Sequence, residues 1–144
     1  MRILCLDPGR KRVGLALSDA TELIATPLGV IQVHSRRQLL EEVAHIVQRE
    51  EVGKLVLGLP LHLNGSEGQE AGRARALAAE LSELLHLPID MMDERLTSFE
   101  ADRMLAESGM KPKKRKAHLD ATAAAIILQT YLDAARSRAR QIIH

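Results

Sequence analysis

The chain has 144 residues, of which 46% are hydrophobic and 27% charged, and this matches one ordinary globular domain. It contains no apolar run of about 18 residues, so we expect no membrane-spanning helix. The chain reaches Asp7 too early for the apolar region of a signal peptide, and its single cysteine, Cys5, cannot form an internal disulfide. We therefore expect a reduced, cytoplasmic setting. One Phe, one Tyr and no Trp leave too few aromatic rings for a base-stacking platform.

The net charge of +1 conceals an uneven distribution. Residues 111–144 contain eight Lys/Arg and two Asp/Glu, whereas residues 1–110 contain 12 Lys/Arg and 17 Asp/Glu. A basic C-terminal quarter on an acidic body is compatible with a polyanionic partner such as nucleic acid. A solvated basic tail, beginning at about residue 136, explains the same charge equally well.

Short apolar runs and helical spacings alternate along the chain. The apolar runs predict strands at residues 2–6, 13–18, 26–33, 54–59 and 88–92. Apolar residues at helical spacing predict one helix from an N-cap at Ser35 to a stop at Gly53, and another over 69–86. Two further helices are predicted over 97–108 and 119–135, separated by an exposed basic loop over 110–118.

This order of elements predicts the fold class. The first two strands are joined by a short turn containing Pro8-Gly9, which favours an antiparallel hairpin. The later alternation of helices and strands favours parallel crossovers. We therefore expect residues 1–144 to form one α/β domain, with a mixed five-stranded sheet and helices on both faces. Functional groups in such sheets lie at the carboxyl ends of the parallel strands.

Acidic residues stand at three element boundaries. Asp7 ends the first strand, Asp93 and Glu94 follow the last, and Asp120 opens the final helix. If the first and last parallel strands are neighbours, Asp7 and Glu94 converge, and a helix packed across that edge adds Asp120. Carboxylates without His or Cys suit Mg²⁺ or Mn²⁺, and two such ions can stabilise the attacking and leaving oxygens of phosphodiester cleavage. The six histidines have no Cys partners and do not indicate zinc.

Each acid also has a structural interpretation. Asp7 can shape the turn that follows it, and Asp120 can complement a helix dipole. Asp93 or Glu94 can pair with Arg95. Singly, each acid favours the structural interpretation; together they favour a metal site, because one topology brings all three to one edge.

Basic and polar residues near these boundaries are candidates for phosphate contacts. The same residue types also suit solvated turns and surface loops, and Arg95 can simply neutralise its acidic neighbours. The candidate nucleic-acid contacts are Arg10, Lys11, Arg12, Asn64, Arg95, Lys111, Lys113, Lys114, Arg115 and Lys116.

Four segments, in order, resemble the YqgF (RuvX) family of pre-16S rRNA nucleases, which is related to Holliday junction resolvases such as RuvC. The resemblance covers Met1 to about Leu132 and lies in DPGRKRVGLALSD, LVLGLPLHLNGSEG, DERLTSFEA and HLDATAAAIILQ. It implies an RNase H-like fold, metal-dependent hydrolysis of phosphodiester bonds and a role in maturing the 5′ end of small-subunit ribosomal RNA.

The resemblance also implies roles for the acids. Asp7 becomes the first-strand acid and Asp120 the final-helix acid. Glu94 becomes the second acid, because resolvase relatives carry a glutamate at the end of this strand. Side chains alternate along a strand, so Asp93 is left for a hydrogen bond or an ion pair, or as the alternative acid.

Other functions stay open from the sequence. The substrate can be precursor rRNA or branched DNA, and a non-catalytic nucleic-acid-binding module would keep the same fold. ATP-binding proteins of the actin and sugar-kinase type use a similar turn, which Asp7-Pro8-Gly9 fits. Such proteins close two comparable domains over ATP, and we expect 144 residues to be too few for two. The oligomeric state is not predicted.

Overall fold

The computed structural model describes residues 1–95 and 112–143, with side chains described at 1–95 and 121–139. Five strands and three helices lie in these ranges. The strands are β1 (Arg2–Pro8), β2 (Arg12–Ser18), β3 (Ala25–Gln32), β4 (Val52–Leu59) and β5 (Ile89–Asp93). The helices are α1 (Arg36–Arg49), α2 (Gln69–Leu85) and α3 (Pro112–Ile143). The helix predicted over 97–108 falls outside the described residues.

The strands form one mixed sheet in the order β3-β2-β1-β4-β5. Strand β2 pairs antiparallel with both β1 and β3, whereas β4 pairs parallel with both β1 and β5. The predicted five-stranded mixed sheet is therefore confirmed. Strands β1, β4 and β5 run in the same direction and end together at what we call the carboxyl edge, which Pro8, Leu59 and Asp93 define.

The turn between β1 and β2 requires a glycine. The Gly9 amide donates to the Arg12 carbonyl at 2.9 Å. A Cβ at Gly9 would lie 2.6 Å from that carbonyl oxygen, closer than side chains approach a backbone. The tight turn places Arg10 and Lys11 at its tip, beside the carboxyl edge.

Alternating side chains divide the core between the two faces of the sheet. Leu4 and Leu6 pack with Val43 of α1 and Leu81 of α2 on one face. The opposite face of the sheet packs against α3, and its buried residues are Ile3, Cys5, Ala16, Val56, Ala124, Ile127, Leu128, Tyr131 and Leu132. Helices thus cover both faces, as predicted. Asp7 continues the series of Ile3 and Cys5 and belongs to the α3 face.

The first helix begins as the sequence indicates but ends earlier. Ser35 accepts from the Gln38 amide at 3.0 Å, and the Gln38 side chain returns to the Ser35 amide in a capping box. Gly53 does not end this helix: α1 stops at Arg49, and the chain turns through Glu51, whose φ is 53°. Gly53 belongs to β4 instead.

The last helix is much longer than the spacing of apolar residues indicates. It starts at Pro112 and runs to Ile143, so the loop predicted over 110–118 is wrong from residue 112 onward. The tail expected from about 136 is helical to 143. Lys and Arg are good helix formers, and proline suits a first turn, so these residues favour a helix without an apolar stripe. Among the described residues, no helix is long and apolar enough to cross a membrane.

Candidate active site

Two of the three predicted acids meet on the α3 face at the carboxyl edge. Asp7 lies near the end of β1, and Glu94 directly follows β5. These strands are not neighbours, because β4 lies between them, so the neighbouring arrangement considered from the sequence is wrong. The Glu94 and Asp7 carboxyls are nevertheless in hydrogen-bonding contact. Strands β1 and β5 are about 10 Å apart, a gap that suits the longer glutamate side chain.

Gly58 of β4 makes this contact possible. The register places Gly58 beside Met92, and the preceding residue Leu57 beside Leu6, so Gly58 falls between the two acids. A Cβ at Gly58 would lie 2.2 Å from the Glu94 Oε2. Glu94 therefore lies across β4 directly over the Gly58 backbone. Sequence reasoning missed Gly58, although a glycine within a buried apolar strand signals a close approach of this kind.

The Glu94 carboxyl is held in an environment that opposes its charge. Within the described part of the chain, its Oε2 is buried and has no hydrogen-bond partner. Burial raises the pKa of Glu94 to about 9, helped by the Asp7 hydrogen bond and by the charges of Asp7 and Asp93. The pKa of the Cys5 thiol is also well above its usual value, through burial first and then the charges of Asp7 and Glu94. The neighbouring charges that raise the pKa of Glu94 are thus both negative.

Asp93 points to the other face of the sheet. Its neighbour in β4 is Leu59, which packs with Ala71 and Ala74 of α2. The Asp93 carboxylate accepts from the Arg95 amide at 2.9 Å and from the Arg95 Nε at 2.7 Å. The Arg95 hydrogen bond is the main cause that lowers the pKa of Asp93. Only Glu94 of the two neighbouring acids therefore faces Asp7.

Arg95 and Asn64 make structural contacts in the loop after β4. The Arg95 Nη1 donates to the Leu63 carbonyl at 3.4 Å, which joins β5 to this loop. The Asn64 Oδ1 accepts from the Ser66 amide at 2.9 Å and from the Ser66 hydroxyl at 2.7 Å. Gly65, with a φ of 89°, completes the turn. Asn64 shapes this loop, and the loop lies at the carboxyl edge.

The turn between β1 and β2 carries the first group of predicted phosphate contacts. The Arg10 Nε donates to Glu70 of α2 at 2.9 Å. Lys11 is exposed, and its carbonyl accepts from the Val33 amide at 2.8 Å. Arg12 is half-buried and begins β2. The structure thus places two of the three cations at the tip of the turn, next to Asp7 in the chain.

The remaining predicted site residues lie at the start of α3 or before it. Asp120 belongs to α3, one helical turn before Ala124, and its side chain lies outside the description. Lys111 falls outside the described residues. The other four, whose backbones are helical and whose side chains are likewise not described, are Lys113, Lys114, Arg115 and Lys116. Among the described residues, no three His, Cys, Asp or Glu side chains form a potential metal-binding group.

Comparison with known sequences identifies relatives along most of the chain. A family model described as "RuvX: Holliday junction resolvase" matches residues 1–134. A protein of Chloroflexus aurantiacus is 46% identical over 135 residues, which cover 94% of this chain and 88% of that protein. A protein of an Anaeromyxobacter species is 45% identical over 133 residues, which cover 92% of this chain and 97% of that protein. Both relatives carry the name "Putative pre-16S rRNA nuclease".

Comparison with solved structures confirms the RNase H-like fold. T. thermophilus RuvC in complex with a Holliday junction substrate matches with a TM-score of 0.61 and 16% identity, over 95% of this chain and 96% of RuvC. The fowlpox virus resolvase in complex with Holliday junction DNA matches with a TM-score of 0.59 and 12% identity, over 93% and 98% of the two chains. At these identities the structural likeness concerns the fold alone. The sequence match over residues 1–134 shows more: this chain belongs to the RuvX family.

Proposed function

We propose that this chain is a metal-dependent endonuclease that hydrolyses phosphodiester bonds at the 5′ end of pre-16S rRNA. The observation that carries this proposal is the contact between Asp7 and Glu94 at the carboxyl edge, with a buried Glu94 oxygen that has no described partner. The names of the relatives support the choice of substrate. Processing of precursor rRNA also supports a cytoplasmic location.

The donor set fits a divalent cation with a preference for oxygen. Ionising both of these neighbouring carboxyl groups in a buried site costs free energy, and a bound cation would offset that cost. Asp7 and Glu94 would hold Mg²⁺ or Mn²⁺, and Asp120 of α3 is the third ligand in this proposal. When bound, the ion supplies positive charge that stabilises the attacked phosphate and the departing oxygen.

The fold holds the two acids in position, and basic residues nearby contact the substrate. Asp7 is fixed on a central strand, and the Glu94 carboxyl lies against Gly58 of β4, which Ile127 of α3 also approaches. Rigid support of this kind keeps catalytic groups oriented before substrate arrives. Arg10 and Lys11 at the β1–β2 turn, together with the basic start of α3, contact phosphates without reading sequence.

Branched DNA is the second candidate substrate. The description of the matching family as a Holliday junction resolvase favours it. A resolvase acts on a symmetric junction and needs two active sites, so this function requires two copies of the chain. A non-catalytic nucleic-acid-binding role would instead leave the Asp7–Glu94 pair without use.

A side-by-side cleavage assay tests the proposal. Purified protein is incubated with precursor rRNA or with a four-way DNA junction, in Mg²⁺, in Mn²⁺ or in EDTA. We expect metal-dependent cleavage of the precursor rRNA and loss of that cleavage in Asp7→Asn, which keeps the size of the side chain and removes its charge. Cleavage by Asp7→Asn at the wild-type rate would refute the metal site, and preferential cutting of the junction would assign the DNA substrate.

A further inference from the structure

A second feature lies at the carboxyl edge, on the opposite face from the carboxylate pair. It is a cleft of about 240 Å³ between the β1–β2 turn and the first turns of α1 and α2. Its floor is apolar and includes Val13, Leu39 and Leu77. The charged side chains that line it come from three separate elements and are Arg10, Arg36, Glu70 and Arg73.

Two guanidinium groups in this cleft converge on one carboxylate oxygen. The Arg10 Nε lies 2.9 Å from the Glu70 Oε1, and the Arg73 Nη1 lies 2.8 Å from the same atom. The side chains of Arg10, Arg73 and Glu70 are 65%, 49% and 45% exposed, so solvent ions can reach all three. Each guanidinium has five N–H donors, more than one shared oxygen can accept. We call this group the Arg10–Glu70–Arg73 cluster.

We propose that the Arg10–Glu70–Arg73 cluster is a phosphate-binding site for the nucleic-acid strand, in which the Glu70 carboxylate occupies the phosphate position until the strand displaces it. This inference rests on the proposed function and extends it. A phosphodiester carries one negative charge, as the Glu70 carboxylate does, and its oxygens suit the planar donor array of arginine. The three side chains carry a net charge of about +1, so the cluster attracts an anion even while Glu70 occupies the phosphate position.

The position of the cleft relates it to the proposed site of cleavage. Pro8 and Gly9, which directly follow Asp7, line the cleft. Asp7 belongs to the α3 face, whereas the cleft opens on the face of α1 and α2. A strand that crosses the carboxyl edge at Asp7 therefore reaches the cluster within a short distance along its backbone.

The internal carboxylate also determines which phosphate binds. Because Glu70 is part of the same chain, its effective concentration at the two arginines is high, and free phosphate competes poorly. A strand already held elsewhere on the protein gains the same intramolecular advantage. The site thus favours a phosphate within a polymer over inorganic phosphate.

Fluorescence anisotropy tests the inference, with a fluorescein-labelled RNA hairpin that has a single-stranded 5′ extension, in EDTA to prevent cleavage. Glu70→Gln frees both arginines and should tighten binding about threefold or more. The matched control is Glu41→Gln, which removes an equal charge from an exposed pair in which the Glu41 Oε1 lies 3.0 Å from the Arg37 Nε. That control should change the dissociation constant less than about twofold.

The arginines give the complementary result. Replacing Arg10 and Arg73 together by Gln should weaken binding about tenfold and lower the slope of log affinity against log salt by about one, because one phosphate contact is lost. Arg37→Gln should leave the slope unchanged. Millimolar inorganic phosphate should not displace the hairpin. If it does, the cluster binds a small phosphate ligand, and the proposal that it binds a nucleic-acid strand is refuted.

Equal shifts for Glu70→Gln and Glu41→Gln would show that only long-range charge acts, and would overturn the inference. So would wild-type affinity in the double arginine variant, with melting temperatures confirming that each variant is folded. The cleavage assay separates this result from the proposed function. If the protein does not cleave but Glu70→Gln and Glu41→Gln still differ in binding, the nuclease proposal is refuted and the phosphate site is supported. If the protein cleaves but the two variants bind alike, only the phosphate site is refuted.

Discussion

Glu94 reaches Asp7 only by crossing β4, and Gly58 is the residue it crosses. The Glu94 Oε2 would lie 2.2 Å from a Cβ at position 58, and Ile127 Cδ1 would lie 3.1 Å from it on the α3 side. Ile127 cannot move far, because it is part of the core that joins α3 to the sheet, so an added methyl group would have to displace the Glu94 carboxyl. One missing methyl group therefore determines whether the two acids meet.

Gly58→Ala should abolish most metal-dependent cleavage, because the added methyl group displaces the Glu94 carboxylate. Overpacking here should also cost about 1–3 kcal/mol of stability. Mn²⁺ affinity measured by calorimetry, alongside cleavage rate and melting temperature, separates displacement of Glu94 from unfolding.

Gly72→Ala is the matched control. Gly72 lies in α2, and a Cβ there meets nothing within 4 Å. This variant should keep full activity and gain up to about 1 kcal/mol, since alanine favours a helix more than glycine does. A folded Gly58→Ala protein with wild-type cleavage and Mn²⁺ affinity would show that Glu94 does not depend on this glycine.

The neighbours Asp93 and Glu94 should respond differently to neutral substitutions. Glu94→Gln keeps the shape and loses a proposed metal ligand, so nearly all cleavage should disappear. Asp93→Asn weakens the contact with Arg95, and with it the Arg95 hydrogen bond to the Leu63 carbonyl. Activity should therefore fall less than in Glu94→Gln, and the melting temperature should fall slightly. Cleavage and melting curves of both variants decide the assignment, and an inactive Asp93→Asn beside an active Glu94→Gln would exchange the two roles.

Helix α3 carries two groups of predicted site residues that the sequence pattern had placed in separate elements. The basic residues after Pro112 and the acid Asp120 belong to one continuous helix instead of a loop followed by a helix. The same helix packs on the sheet through Ala124 and Leu128. Gln129 also ties it to the start of β3, where its side chain accepts from the Ala25 amide at 2.9 Å and donates to the Leu23 carbonyl at 3.0 Å. A substrate bound at the start of α3 is therefore held by an element anchored to the core.

Neutralising the basic start of α3 should weaken substrate binding without changing the fold. The residues to replace by Gln, which keeps a good helix propensity, are Lys113, Lys114, Arg115 and Lys116 of α3, together with Lys111, which precedes them in the chain. The slope of log affinity against log salt should fall by up to about four, since each lost phosphate contact removes close to one. Replacing Arg136 and Arg138, further along α3, is the control and should change the slope less. A slope equal to wild type in the five-residue variant would leave this segment as solvated surface.

The folding stability of the protein is linked to the candidate site through Glu94. Its pKa of about 9 in the folded protein lies above the ordinary value of 4.5, so the folded state binds a proton that the unfolded state releases. The contribution of Glu94 to stability is therefore fully present below about pH 4.5 and is lost as the pH rises toward 9. In the metal-free protein, the buried position of Glu94 therefore lowers the free energy of unfolding at neutral pH.

Urea unfolding in EDTA between pH 5.5 and 8.5 should show this loss. The free energy of unfolding should decrease with pH in the wild type, and Glu94→Gln should remove much of the decrease. At pH 8 that variant should also be more stable than the wild type, by about 1–3 kcal/mol, because it folds without having to take up a proton. Saturating Mg²⁺ should reverse the trend in the wild type alone, since the cation favours the ionised form. Parallel pH profiles for the two proteins would contradict the linkage.

Local patterns were sufficient to predict much of this protein. The five strands, the first two helices and the cap at Ser35 follow from apolar spacing and from the chemistry of single residues. The opposite directions of Asp93 and Glu94 follow from strand alternation, which needs only neighbouring residues. The helical start of α3 did not follow, because residues 112–118 have good helix formers but no apolar stripe.

Residue types and the spacing of apolar residues were enough to predict the strands and to place Asp7 and Glu94 at strand ends. The folded chain was needed to show that β4 lies between those two acids, that Gly58 makes room for their contact, and that Arg10 meets Glu70 across 60 residues. Strand order and the register of distant segments depend on how whole faces of the sheet are buried together. Hydrophobic periodicity reports the face on which a residue lies, but it carries no information about which strand lies beside it.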